Sequence, residues 1–414
     1  MNRKFYTLLF SVGLLLTACG PAKGLLATGA KPLSLRMAES EMLRNPSPTT
    51  LDGIAPGKVK WNYTTGLELL SLMDAAKAYD RPDLYDYALK YYDTIVQADG
   101  SVLTYAKEKY NLDHICPGRP LFEIYERTGE ERYLAVLDTL YAQLQGQPRT
   151  ADGGFWHKQV YPNQMWLDGL YMAEPFYAEY VHRFVATRDI ASAAEREADI
   201  ARQFLTVARY TYDPETELYR HACDASREMF WCDKTTGQTP HAWGRAMGWY
   251  AMAIVETLDY LSPSEGRDAM VGILNRIYEV LPRYADPETG MWYQVLDEPR
   301  REGNYLEATG SIMFVYARLK AIRKGWLPES GLAAALADYE RFVKRFVKEN
   351  EDGTISITDC CAVAGLGGKS MRDGTFEYYI SEPVIENDCK GVGPFIWASL
   401  EYEKAKGILP ENRY

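Results

Sequence analysis

Hydrophobic residues recur at helical spacing along most of the chain, whereas strand-like alternation never lasts beyond a few residues. TGLELLSLMDAAKAY (65–79) is followed by RPDLYDYALKYYDTIVQA (81–98), with Pro82 placed for a helix first turn. RPLFEIYERTG (119–129) precedes EERYLAVLDTLYAQLQ (130–145), and Gly129 suits a helix C-cap. The same pattern predicts pairs near 164–184 with 189–210, 241–261 with 266–285 and 306–324 with 329–348. A further helix is expected near 34–44 and a last one near 391–406.

A second signal recurs after every other helix: ADGSVLTY (98–105), ADGGFWHK (151–158), DPETELYRH (213–221), DPETGMWYQ (286–294) and EDGTISIT (351–358). Each is an Asp-initiated turn leading into a short extended segment. Two helices separate successive copies, which describes helical hairpins joined by strand-like crossovers on one face. The helices after the crossovers, such as 164–178 and 249–258, are apolar all round and belong in an inner ring, with their partners outside. The predicted fold is all-α, an (α/α)6 barrel with short strand-like segments at one rim, forming a single domain over 34–414. Trp156, His157, His221, Trp243 and Trp292 fall on that rim. With 31 Tyr and 9 Trp in the chain, an aromatic funnel for a sugar is one reading of this density and core packing the other.

The N-terminus departs from this pattern. MNRKFYTLLFSVGLLLTAC has a basic start and an apolar run too short to span a bilayer, so residues 1–18 read as a signal peptide. LTAC resembles a bacterial lipobox, which implies cleavage before Cys19, lipid on that cysteine and a tether over 19–33. An ordinary secretory signal is the alternative. The expected location is the periplasm, with the membrane reached through the lipid anchor alone. Six further cysteines show no CxxC pair, and the histidines are too scattered for a zinc site. Cys223 with Cys232, or Cys361 with Cys389, are possible disulfides, but buried free thiols are the default. The net charge of −11 and the lack of a basic stripe argue against a nucleic-acid partner.

Three stretches carry candidate chemistry. MWLDGLYM (165–172) sets Asp168 among apolar side chains, and none of its i±3 or i±4 neighbours is basic. Desolvation favours a neutral carboxyl, which suits a general acid; a structural Asp bonded to a neighbouring helix is the other reading. NLDHICPGRP (111–120) places Asp113 just before an inner helix expected from about Leu121, either as a functional acid or as a turn or N-cap residue. In HAWGRAMGWY (241–250), Gly244 and Gly248 allow close backbone approach, while Trp243, Arg245 and Trp249 offer two stacking surfaces and a guanidinium suited to an acidic sugar. The alternative is a tightly packed helix whose Arg makes a structural ion pair.

Together these stretches resemble glycoside hydrolase family 105, the unsaturated rhamnogalacturonyl hydrolases, and the related family 88 unsaturated glucuronyl hydrolases. The matching pieces are LDHxxPG at 112–118, FWH at 155–157, MWLDGLYM at 165–172, LYRHA at 218–222, WGRAMGW at 243–249 and the closing segment 373–401. The resemblance implies an enzyme that hydrates the C4–C5 double bond of a 4,5-unsaturated uronic acid at the non-reducing end of an oligosaccharide. It assigns proton donation to Asp168, hydroxyl binding or water orientation to Asp113, and pocket positions to His157 and His221. Trp243, Arg245 and Trp249 would hold the uronate, with Tyr63 and Trp156 completing the substrate-binding set. No metal or organic cofactor is implied. Cys223 stands where the family pattern leads one to expect an aromatic residue. An ordinary glycosidase or epimerase on the same scaffold, and a non-catalytic glycan-binding lipoprotein, are the rival readings.

Overall fold

The computed structural model describes residues 22–27 and 29–409. The segment read as a signal peptide and Cys19 lie outside the described residues. A short helix α1 (Ala22–Leu25) and α2 (Leu33–Arg44) lead into the first hairpin, α3 (Tyr63–Tyr79) with α4 (Pro82–Ile95). The next are α5 (Pro120–Thr128) with α6 (Glu131–Gln145), and α7 (Leu167–Tyr180) with α8 (Ile190–Thr211). These are followed by α9 (Gly244–Thr257) with α10 (Glu265–Val280), and α11 (Ala308–Arg323) with α12 (Leu332–Phe346). A one-and-a-half-turn helix α13 (Phe376–Ser381) precedes α14 (Cys389–Ala405). Helix α14 packs between α11 and α3 and so closes the inner ring, while α2 lies outside it as the sixth outer helix. The chain therefore folds as the (α/α)6 barrel that its periodicity predicts.

The inner and outer helices differ as their sequences require. All of α9 is buried, whereas α12 buries Ala335, Asp338, Tyr339, Phe342, Val343 and Phe346 at three- and four-residue spacing and turns Arg341, Lys344 and Arg345 outward. The Asp-initiated segments form narrow antiparallel turns with matching bridges, Val96 with Val102, Arg149 with Phe155, Tyr212 with Tyr219 and Ala285 with Trp292. The last of them pairs β3 (Val347–Glu349) with β4 (Ile355–Ile357). In α9 the glycines serve close contact. A Cβ on Gly248 would lie 2.9 Å from the Cβ of Met313, and one on Gly310 of α11 would lie 2.9 Å from the carbonyl carbon of Gly244.

The barrel has two unlike ends. Inner helices α3, α7, α9, α11 and α14 begin at one end, the mouth, whereas α5 is set deeper. Arg119, at the N-terminus of α5, already reaches Glu256 near the C-terminus of α9, and turns over 112–118 fill the space above it. The opposite end is closed by charged side chains around a cavity of about 250 Å³. The chain meets the barrel at this closed end. Ser34, at the start of α2, donates to Glu403 near the end of α14 through both its backbone N–H and its hydroxyl, and its hydroxyl also lies 3.2 Å from that of Tyr79 at the end of α3.

Glu256 is the hub of the closed end. It accepts from Lys320 Nζ at 2.6 Å, from Arg119 Nη2 at 2.7 Å and from the hydroxyl of Tyr316. Burial alone would raise its pKa, but Lys320 and Arg119 overcome this and hold the carboxyl well below the usual range. A depressed folded-state pKa adds stability that is fully present above the unfolded value, near pH 4, and is lost as the pH falls further. Glu256→Gln leaves the buried Arg119 without its ion-pair partner and Lys320 with Asp259 alone, and is expected to cost about 3–5 kcal/mol at neutral pH. Urea denaturation should show this difference starting to shrink below about pH 5 and still shrinking below about pH 3, as the pH falls towards the depressed folded-state value.

Candidate active site

The predicted site residues lie at the mouth, at or just before the starts of inner helices. Tyr63 opens α3, Asp113 sits in the turn before α5, Asp168 is the second residue of α7 and Arg245 the second of α9. Each helix N-terminus carries about half a positive charge, so their convergence favours an anion in the mouth.

Asp168 departs from the sequence expectation in two ways. The expected helix over 164–184 begins only at Leu167, because 164–166 form strand β1 (Gln164–Trp166). Asp168 is thus in the first turn, its side chain 14% exposed, and is not enclosed in the middle of a helix. It also has a partner from a distant segment. Strand β1 pairs antiparallel with β2 (Ala222–Asp224), setting Trp166 opposite Ala222, and the N–H of Leu167 donates to the carbonyl of His221 at 3.1 Å. This brings Nε2 of His221 to 3.2 Å from Oδ2 of Asp168, although the two atoms are not aligned as a hydrogen bond.

Asp113 has a different environment. Asn111 caps its turn, which leaves the Asp113 carboxylate free to meet His157 Nε2 at 3.2 Å and Lys158 Nζ at 2.5 Å. Burial opposes the charge, but Lys158 and His157 outweigh it and hold the carboxyl well below the usual carboxylate range. Trp166 separates the two acid–histidine pairs. Its ring is parallel to His157 at 4.5 Å and edge-on to His221 at 5.3 Å. Gly169 leaves room for His157, since a Cβ there would lie 2.9 Å from the imidazole Nδ1. The phenol of Tyr63 lies within electrostatic reach of both acids. Burial pushes its pKa well up, the charges of Asp113, Asp388 and Asp168 add to this, and Arg245 opposes it.

The family model for Glycosyl Hydrolase Family 88 matches residues 33–406, nearly the whole described chain. The chain belongs to glycosyl hydrolase family 88. A family 105 glycoside hydrolase from C. acetobutylicum ATCC 824 has a solved structure that is 41% identical with a TM-score of 0.84, covering 90% of this chain and all of its own. The unsaturated rhamnogalacturonyl hydrolase YesR of Bacillus subtilis (strain 168) is 24% identical over 316 residues, 72% of this chain and 78% of its own length. An unsaturated glucuronyl hydrolase specific for heparin shares the fold at 14% identity and a TM-score of 0.64, covering 90% of this chain and 96% of its own. The family 88 chain is thus a glycoside hydrolase of the unsaturated-uronyl type, which sets aside the reading as a non-catalytic lipoprotein.

The family 88 enzyme does not offer the two open stacking faces expected from WGRAMGW. Trp243 and Trp249 are each 1% exposed, covered by neighbouring side chains. Trp249 lies against Tyr171 at 4.7 Å and edge-on to Tyr63 at 6.3 Å. Trp243 lies under Arg245, whose guanidinium carbon is 4.6 Å from its ring, and beside His221 at 4.8 Å. Arg245 is also 1% exposed and donates to the carbonyl of Cys361, and among the described residues no carboxylate lies within ion-pair distance of it. Trp156 is half-buried, with its backbone N–H on Pro148 and its carbonyl on Gln147. Cys223 is buried opposite Met165, and the six cysteines among the described residues are free thiols.

Three residues beside the site were not singled out from the sequence. Lys158 directly follows His157 in ADGGFWHK, and Trp166 stands two residues before Asp168 in MWLDGLYM. Tyr161 stacks on Trp166 at 5.6 Å and keeps a partly exposed ring, the aromatic surface that Trp243 and Trp249 do not supply.

Proposed function

We propose that the enzyme removes a 4,5-unsaturated uronic acid from the non-reducing end of lyase-generated oligosaccharides by hydrating the C4–C5 double bond. The observation that carries this reading is the asymmetry of the two acids. Asp113 is neutralised by Lys158, whereas Asp168 stands at the mouth with no cationic Lys or Arg against it. A displacement at the anomeric carbon needs two carboxyl groups flanking the bond, and Asp113 is already engaged on both oxygens. Hydration needs one proton donor. Asp168 gives its proton to C4, the double-bond electrons form the new C–H bond, and positive charge develops at C5 and the ring oxygen. Water adds at C5 and loses a proton to the Asp168 carboxylate. The hemiketal then opens and releases the aglycone, so the acid is regenerated. Asp113, His157 and Lys158 hold hydroxyl groups or the water, and Arg245 holds the uronate carboxylate.

The test is loss of the ultraviolet absorbance of the conjugated uronate on a panel of lyase-generated disaccharides. Rhamnogalacturonan fragments come first, because of the name of the B. subtilis relative. Turnover of saturated glycosides with no loss of absorbance in the unsaturated panel would sink the proposal. The basic start, short apolar run and LTAC box support a periplasmic lipoprotein anchored at Cys19. Cys19→Ala should then release the protein from the membrane fraction, and equal retention would count against the anchor.

A further inference from the structure

The segment between α12 and α14 contributes a residue to which the proposed reaction assigns no task. Tyr379, on α13, is 0% exposed, and its hydroxyl lies 2.8 Å from Nδ1 of His221. Its ring stacks on Trp243 at 5.9 Å and 16°. Gln294 braces both, donating from Nε2 to the Tyr379 carbonyl at 3.1 Å and accepting from Trp243 Nε1 at 3.0 Å. His221 is itself 0% exposed, with Trp166 on its edge and Trp243 beside it, so its ring has no room to turn. One imidazole nitrogen therefore faces Tyr379 and the other faces Asp168.

We propose that Tyr379 is a positioning residue that sets the tautomer of His221: its hydroxyl donates to Nδ1, so the ring proton sits on Nε2 and points at Asp168. This rests on the reading of Asp168 as the proton donor. Buried hydroxyl groups find an acceptor, and Nδ1 is the one within reach of the Tyr379 hydroxyl among the described residues. A proton on Nδ1 would face the phenol proton and leave one of the two unpaired. Burial pushes the Tyr379 pKa well up, with the charge of Asp168 among the contributors, so the group stays a donor. With Nε2–H directed at Oδ2, Oδ1 is left to hold the proton that goes to C4. Once that proton has moved, Nε2–H meets the new carboxylate charge, and the carboxylate then takes a proton from water. The imidazole keeps its own proton throughout. The 3.2 Å separation tightens into an aligned hydrogen bond when substrate fills the mouth.

Tyr379→Phe keeps the ring on Trp243 and removes only the hydroxyl. Long-range ¹⁵N spectra of histidine-labelled protein, which has five histidines to assign, read the tautomer directly. Wild type should show His221 protonated on Nε2, and Tyr379→Phe should shift it towards Nδ1. With an unsaturated disaccharide, kcat should fall about 10–100-fold while KM and Tm change little. A wild-type proton on Nδ1 would overturn the proposal even if the variant does not fold. So would a folded variant with the tautomer unchanged, since any loss of kcat would then reflect packing alone. The spectra need no turnover, so failure of the hydration reading, which Asp168→Asn decides, is distinguishable from failure of this one.

Discussion

Asp168→Asn is expected to lower kcat by about 10⁴-fold, the upper end of what a general acid contributes, because the proposed hydration has one donor and no second path for the proton. The substitution keeps the shape of the side chain, and Asp168 is in the first turn of α7 with a partly exposed carboxyl, so the barrel should fold normally. The helix N-terminus adds to the effect, because its dipole favours the carboxylate left after proton transfer and the amide has no such charge to stabilise. Tm and circular dichroism establish folding, and the ultraviolet assay measures turnover. A well-folded Asn variant with near-wild-type kcat would end the assignment. The same assay on Asp113→Asn separates the two acids, since the Asp113 carboxylate is committed to Lys158 and His157.

Arg245→Ala should reduce kcat/KM by about 10–100-fold, from the roughly 1.5–3 kcal/mol that a charged hydrogen bond contributes. The protein carries a net charge of −11 and its substrate is an anion, so long-range attraction does not bring them together. A local cation has to. Arg245 fits because it is a buried guanidinium whose nearest acids, Glu307 and Asp388, act from beyond ion-pair distance, and whose Nε has no partner. Arg245→Lys should recover only part of the loss, because an ammonium lacks the planar fork. The deciding comparison is the free-acid substrate against its methyl ester. Wild type should prefer the acid, and Arg245→Ala should lose that preference. A variant that keeps it shows that another group binds the carboxylate and that Arg245 serves the packing around Trp243.

The barrel was readable because each of its devices is local. Helical periodicity, Pro82 at the first turn of α4, Gly129 at the end of α5 and the repeated Asp turns all act within a few residues. The site was readable residue by residue, but its pairings were not. Asp168 meets His221 only because the three-residue strands β1 and β2 pair in one register, and so short an alternation leaves no pattern in sequence. Burial of Trp243 and Trp249 misled for the same reason. An aromatic in a helix looks alike in sequence whether its neighbour is a ligand or, as here, Tyr171, Tyr63 and Tyr379.

The position of Ser34 sets how the enzyme would stand on a membrane. The chain joins the barrel at the closed end, beside Glu403 and Tyr79, and the mouth opens at the other ends of α3 and α14. Leu25, six positions on from Cys19, is already buried against the barrel, so the leash spans at most about 20 Å. A lipid on Cys19 would then moor the barrel by its base, with the opening turned away from the bilayer. Oligosaccharides arriving from solution would then meet the mouth without first approaching that surface.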